Sequence, residues 1–279
     1  MIVDAHVHVF RPASVHPRVT DELAPPDRDA PVEALIAVLD GHGVGGAVLV
    51  PLGPEVGYVA AARRRYPGRF AAIAVADPAL RGAGALPEPF DGLRVSWLGE
   101  PGRPLAESPM LPLLRDLAAR EKKLWTYLPP DQLPLLEQLP DLVPDLTVVL
   151  NHLGFCPQDM RVDEHGRPWF ADPLPPERVE AVRRLAGAER FHLMLSGQYA
   201  LSREPAPYRD LDGAIATLAD AYGAERMLWA SDWPWIDAVP GYRALLDLPA
   251  QCLPDASAAE LAAVRGGTAL RLFPTLRPD

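Results

Sequence analysis

Residues 2–9 read Ile-Val-Asp-Ala-His-Val-His-Val. The run is apolar and β-branched with histidines at alternate positions, which is the period of a strand. Seven more short apolar runs recur along the chain, at 44–50, 70–77, 93–97, 124–128, 146–152, 191–196 and 227–231. Between them lie stretches with helical spacing, at 32–40, 55–66, 112–121, 130–139, 177–186 and 208–222. The connection 78–90 is rich in glycine and proline and has room for a short helix at most. Two further helical patterns, near 242–248 and 256–265, follow the last run. Apolar strands alternating with helices predict a parallel sheet covered on both faces. Eight such units in 279 residues predict a single-domain α/β protein over 1–279, a (β/α)8 TIM-like barrel with extra C-terminal helices. A doubly wound open sheet is the alternative, weakened because no GxGxxG or GxxxxGKS loop follows any run.

Composition excludes several roles. The formal net charge is −10 and no basic block occurs, so the chain lacks the clustered cations that bind nucleic acid or an anionic membrane. No apolar run approaches the ~20 residues that cross a bilayer. The N-terminus enters a strand at once, without a signal-peptide pattern. Cys156 and Cys252 are too few for a disulfide framework or a thiolate zinc site and read as buried thiols. The 33 prolines are scattered between apolar segments as loop punctuation. These features predict a cytoplasmic enzyme acting on a small molecule, with assembly as a homo-oligomer left open.

The chemistry gathers at strand ends. His6 and His8 share a face near the C-terminal end of the first strand, where barrel active sites are built. Two imidazoles so spaced suit one divalent cation, Zn²⁺ being favoured by nitrogen ligands, although an HxH pair also arises at strand edges without one. His152 ends the sixth run before Gly154, and Asp232 directly follows the eighth, before Trp233 and Pro234. Singly these read more readily as a turn histidine and a helix-capping aspartate. Together, three imidazoles and a carboxylate converge in a barrel as a mononuclear site whose Asp binds metal, activates water, or both. Arg94, inside an apolar run, suits bidentate carboxylate binding. Tyr127 ends the fifth run, while Tyr199 and Arg203 lie past the seventh; each is a candidate oxygen binder or a loop residue. Trp233 and Trp235 are candidates to wall the pocket, and 154–176, with His165, Trp169 and Phe170, is a candidate lid. His16 and His42 read as surface or structural.

The ordered set Asp4-Ala-His6-Val-His8, Gly92-Leu-Arg94, Asn151-His152-Leu-Gly154, Leu195-Ser-Gly197, Ser231-Asp232-Trp-Pro234 and Gly266-Gly-Thr-Ala-Leu-Arg-Leu-Phe273 resembles the amidohydrolase-related ("amidohydrolase 2") branch of the amidohydrolase superfamily. The resemblance spans nearly the whole chain. It implies His6, His8, His152 and Asp232 as metal or catalytic core and Arg94 as the holder of a substrate carboxylate or carbonyl. Its members include 2-pyrone-4,6-dicarboxylate lactonase, sugar lactonases and, more distantly, zinc-dependent decarboxylases. It leaves the metal dispensable, since some lactonases of this kind work without one. There are departures. The only lysines, Lys122 and Lys123, precede the fifth strand at the wrong end of the barrel, so a lysine-bridged two-metal centre is not available. Met194 stands where many relatives have lysine. His192 begins its strand, on the face associated with stability, whereas the decarboxylases place a histidine at the opposite end; this moves weight toward a lactonase.

The function so predicted is hydrolysis of a small carboxylated or hydroxylated lactone, with Asp232 activating water and the histidines or one Zn²⁺ polarising the carbonyl. The alternative is zinc-dependent non-oxidative decarboxylation of a small unsaturated or aromatic acid. A third reading, a catalytically silent barrel that binds a ligand, is disfavoured by the complete His/His/His/Asp set.

Overall fold

In the computed structural model, which describes residues 1–77 and 86–277, each of the eight apolar runs forms a strand. The expectation for 78–90 falls largely outside the described residues. In chain order the strands are β1 (Ile2–Val7), β2 (Val44–Leu49), β3 (Phe70–Val75), β4 (Gly92–Val95), β5 (Lys123–Thr126), β6 (Thr147–Leu150), β7 (Arg161–Val162), β8 (Pro168–Trp169), β9 (Phe191–Leu195) and β10 (Met227–Trp229). β7 and β8 form a separate antiparallel hairpin inside the 154–176 connection, which the sequence reading did not foresee. The others form one parallel sheet in the order β1-β2-β3-β4-β5-β6-β9-β10. Its two edges meet. The His8 N–H donates to the Trp233 carbonyl at 2.7 Å and the Asp232 N–H to the His6 carbonyl at 3.0 Å, with a parallel bridge between Val7 and Trp233. This closes a TIM-type (β/α)8 barrel, with helices around it.

Two apolar layers result from the strand alternation. Inward-facing Val3, Ala5, Val48, Ile73, Trp125, Val149, Met194 and Leu228 fill the barrel and exclude water. Phe273 plugs its lower end, 5.8 Å from the Trp125 ring. Outward-facing residues such as Leu49, Phe70, Leu124 and Trp229 pack with helix residues including Leu35, Leu114 and Ile215.

The surrounding helices are α1 (Val32–Gly41), α2 (Gly57–Arg65), α3 (Leu111–Ala119), α4 (Leu133–Leu136), α5 (Leu139–Leu142), α6 (Pro176–Leu185), α7 (Gln198–Leu201), α8 (Asp212–Tyr222), α9 (Tyr242–Cys252), α10 (Ala258–Ala262) and α11 (Thr268–Leu272). The helix expected over 130–139 is broken into a 3₁₀ turn, α4 and α5, because Pro134 and Pro140 are tolerated in the first turn of a helix and not inside one. The pattern at 256–265 is split as well. After α10 comes a π turn through Gly266, where a Cβ would sit 2.2 Å from the Met1 carbonyl oxygen, and then α11. Both cysteines are buried free thiols, and no described helix is long and apolar enough to cross a membrane.

Strand β1 departs from simple alternation in a way that shapes the site. Asp4 pairs with Ala47 but Val7 with Leu49, so three steps on β1 match two on β2. The extra residue shifts the parity of the strand. Val3 and Ala5 belong to the barrel interior, Val7 and Val9 to the outer layer, and His6 and His8 face the interior beside each other. Asp4 is turned to the opposite side.

Candidate active site

Four side chains from three strand ends converge above Trp125. Nε2 of His6 lies 3.2 Å from Nε2 of His8, and Asp232 Oδ1 lies 3.6 and 3.4 Å from those two atoms. His152 faces the other carboxylate oxygen, with Nε2 3.7 Å from Asp232 Oδ2. The backbone is bent to achieve this. His152, Leu153 and Asp232 have φ of 45°, 59° and 63°, left-handed conformations that place side chains where a continuing strand would not. Gly197, at φ 75°, leaves space for the imidazole, since a Cβ there would meet His152 at 2.8 Å.

Each ring is fixed by a second contact. The Nδ1–H of His8 donates to the Val50 carbonyl at 2.8 Å, so its Nε2 presents a lone pair to the site. Nδ1 of His152 pairs with Ser196 Oγ at 2.8 Å. The Tyr199 phenol donates to Asp232 Oδ2 at 2.6 Å, while Asp232 Oδ1 is buried without a hydrogen-bond donor.

Burial pushes the His6 and His152 imidazoles below their ordinary range, so both are neutral at pH 7. Burial alone would raise the Asp232 carboxyl, but the surrounding imidazoles, His152 first, hold it below the usual carboxylate range. An ionised carboxylate beside the neutral His6 and His152 rings makes the cluster attractive to a cation. Two imidazole nitrogens 3.2 Å apart also need something positive between them, a proton or a cation. His6, His8 and Asp232 offer ligand atoms that all lie within 4.8 Å of one another, and this donor set fits one divalent ion. His152, expected from the sequence as a fourth ligand, stands outside that group.

Comparison with known proteins bears on this arrangement. The amidohydrolase family model ("Amidohydro_2") matches residues 3–275. The chain belongs to this family. Solved structures of similar fold include one from Pseudomonas putida provisionally named a 2-pyrone-4,6-dicarboxylic acid hydrolase (23% identity, 99% of this chain and 98% of that one, TM-score 0.74). An amidohydrolase from Burkholderia multivorans with bound zinc is 22% identical over 98% of this chain and 99% of that one, at a TM-score of 0.74. A dihydroxybenzoic acid decarboxylase from Polaromonas with bound manganese and an inhibitor is 17% identical over 99% and 98%, at 0.61. A search of curated proteins gave no match. The protein is thus an enzyme of the amidohydrolase superfamily.

In this amidohydrolase the cluster opens into a cavity of about 290 Å³ lined by His8, His152, Asp232, Arg94 and Tyr127. The Arg94 guanidinium lies over the Tyr127 ring, 5.5 Å from its centre, and its charge is felt at Asp232. Burial pushes the Tyr127 phenol up to about 12, so it remains a donor.

Other sequence candidates are placed differently. Arg203 does not line the cavity: it is exposed and its guanidinium donates to the Ala171 carbonyl at 2.7 Å. Trp233 also stands off the wall, 2% exposed with its indole N–H on Asp237 at 3.0 Å, whereas Trp235 lines it. Tyr199 reaches the carboxylate and not the cavity wall. From the lid segment Pro168 and Phe170 line the cavity, while His165 is exposed at the hairpin turn. His192 lies at the strand's opposite end near Arg226 and Arg271.

Sequence reasoning missed Arg178. Buried on α6, it donates to the carbonyls of Gly154 (2.6 Å), Phe155 (3.0 Å) and Leu128 (3.3 Å), tying the His152 turn to the end of β5. A signal was present: Arg178 stands with Ala181, Val182 and Leu185 in the helix's buried stripe, where a cation has no place unless it holds something.

Proposed function

We propose that the protein hydrolyses a small lactone bearing carboxylate or hydroxyl substituents. The observation that carries this reading is Asp232: a buried, ionised carboxylate with one oxygen free of donors, at the floor of a cavity that also presents Arg94. Arg94 binds a substrate carboxylate and thereby fixes the ring against Asp232. Water adds to the lactone carbonyl carbon and its proton passes to Asp232. The ring acyl C–O bond then breaks, and the departing oxygen leaves with that proton, giving the hydroxy acid. Tyr199 holds the carboxylate in place, and the neutral His152 lies beside it as a hydrogen-bonding group for the developing oxyanion. A divalent ion held by His6, His8 and Asp232, zinc by preference of the nitrogen donors, would supply Lewis-acid polarisation of the carbonyl.

Decarboxylation is the alternative. The position of His192 beside Arg226 and Arg271, away from the cavity, weighs against it. The deciding experiment follows ring opening across a panel of lactones with zinc- or manganese-loaded protein, alongside the Asp232→Asn variant and CO₂ detection. Acid formation without CO₂, lost in the variant, supports the reading. Ring opening that survives Asp232→Asn, or CO₂ release from an acid with no water added, overturns it. Metal content by plasma mass spectrometry, expected at about one ion per chain and reduced in His8→Ala, tests the donor set.

A further inference from the structure

The wall of the cavity carries more information than the reaction does. We propose that the substrate has a single carboxylate on an otherwise apolar lactone, and that a second anionic group or a set of hydroxyls is selected against. This rests on the lactone-opening reading above.

Among the described residues, Arg94 supplies the one guanidinium on the cavity wall. Arginines around the mouth are committed elsewhere. Arg28 donates to the carbonyls of Leu23 and Gly166 at 2.6 and 3.0 Å and stacks over Trp235 at 4.7 Å. Arg167 is paired with Asp163 at 2.7 Å and also donates to the Val239 carbonyl. Arg203 is held on the Ala171 carbonyl. Asp21 lines the same cavity, anchored by the Ala24 N–H at 2.7 Å, and adds a negative charge there. Among the described lining residues, a second carboxylate on the substrate would therefore meet no guanidinium besides Arg94, and it would meet Asp21.

The remaining wall is hydrocarbon. Val19, Leu23, Leu52, Met160, Phe170 and Trp235 surround the space, and none of the described lining residues is Ser, Thr, Asn, Gln or Lys. The polar groups that do line it are Asp21, Arg94, Tyr127 and members of the catalytic cluster. Hydroxyls of a sugar-like lactone would face methyl groups and rings and lose their water without replacement. At about 290 Å³ the cavity is at the small end of ligand sites, so the substrate is a small ring with alkyl or aryl substituents. Ring opening creates a second carboxylate in a site built for one, which favours release of the product.

The test compares three lactones on metal-loaded protein: one carboxylate plus an alkyl or phenyl group, two carboxylates, and several hydroxyls. The first is expected to exceed each of the others in kcat/KM by about 30-fold or more. Arg94→Met lowers kcat/KM for the first by at least about tenfold, mainly through KM. Asp21→Asn raises the ratio of dicarboxylate to monocarboxylate turnover by about fivefold. Faster turnover of the dicarboxylated or polyhydroxylated lactone overturns the proposal and leaves lactone hydrolysis standing. If no lactone opens, the hydrolytic reading fails, and binding still decides the substrate class. Calorimetry with carbocyclic analogues that cannot open then expects the alkylated monoacid to bind at least about tenfold tighter than the diacid or the hydroxylated acid. Equal or weaker binding overturns it.

Discussion

Asp4 and Asp232 are the same residue type at nearly the same depth, 0% and 5% exposed, on the two strands that meet at the barrel seam, and their carboxyls shift in opposite directions. Asp4 accepts from the Ser231 N–H at 2.9 Å, the Ser231 hydroxyl at 2.5 Å and the Tyr242 hydroxyl at 2.8 Å. None of these donors carries charge, so burial wins and the Asp4 carboxyl rises to about 6. Around Asp232 the imidazoles, His152 first, outweigh burial, and the carboxyl falls. Depth does not decide what a buried carboxylate does; its donors do. Asp4 fastens the outside of the seam to α9, and Asp232 charges its inside.

The largest effect separates the two by function. Asp232→Asn is expected to lower kcat/KM about a thousandfold in protein that still folds, since the amide oxygen can keep the Tyr199 donor. Unfolding of that variant with full specific activity in the folded fraction would reverse the assignment. Next comes His192, a buried group outside the site that tests the same rule with a base. Burial lowers it to about 4, and its main partner is the Arg190 carbonyl at 3.1 Å. The unfolded chain takes up this proton near pH 6.5 and the folded protein does not, so stability is full above about 6.5. It is lost as pH falls toward 4, by about 3 kcal/mol. Denaturant titrations at pH 7 and pH 4 should show that loss reduced in His192→Gln; an identical loss in both proteins would remove His192 as its source.

Asp4→Asn is expected to cost about 2 kcal/mol of stability, because an amide NH₂ must then face the Ser231 or Tyr242 donors, while kcat stays within about threefold. A loss of turnover at unchanged stability would show instead that Asp4 serves the catalytic cluster.

The contrast also explains what the sequence displayed and what it hid. The eight barrel strands and their order were legible because each apolar run is continuous and six of the seven connections have helical spacing. His6, His8, His152 and Asp232 were legible because each lies at or near the C-terminal end of a run. By strict alternation, however, Asp4, His6 and His8 belong to one face, and only the register shift between Asp4 and Val7 separates them. No residue type in that stretch announces an extra residue, because the shift is set by the pairing with β2. Arg203 was misplaced for a related reason. Beyond a strand end, direction depends on loop contacts, here for the guanidinium the Ala171 carbonyl, which lies 32 residues away in the chain and carries no side-chain signature. The β7–β8 hairpin pairs two residues with two, too short for any periodic pattern to appear.

The smallest effect is the most discriminating, because it separates the sequence expectation for Tyr199 from its observed place. As a substrate binder, Tyr199 would act through KM. The phenol instead donates to Asp232 Oδ2 at 2.6 Å, is 4% exposed, and lies behind the cavity wall. Tyr199→Phe removes one hydrogen bond to a charged oxygen without opening space, at a cost of about 1.4 kcal/mol in the arrangement of the carboxylate. The expected outcome is a kcat about tenfold lower with KM within about threefold, measured on the best lactone of the panel. A tenfold rise in KM at constant kcat would return Tyr199 to the substrate. That result would also mean that the groups restraining Asp232 are the imidazoles alone, which narrows the difference from Asp4 to the three rings that surround the carboxylate.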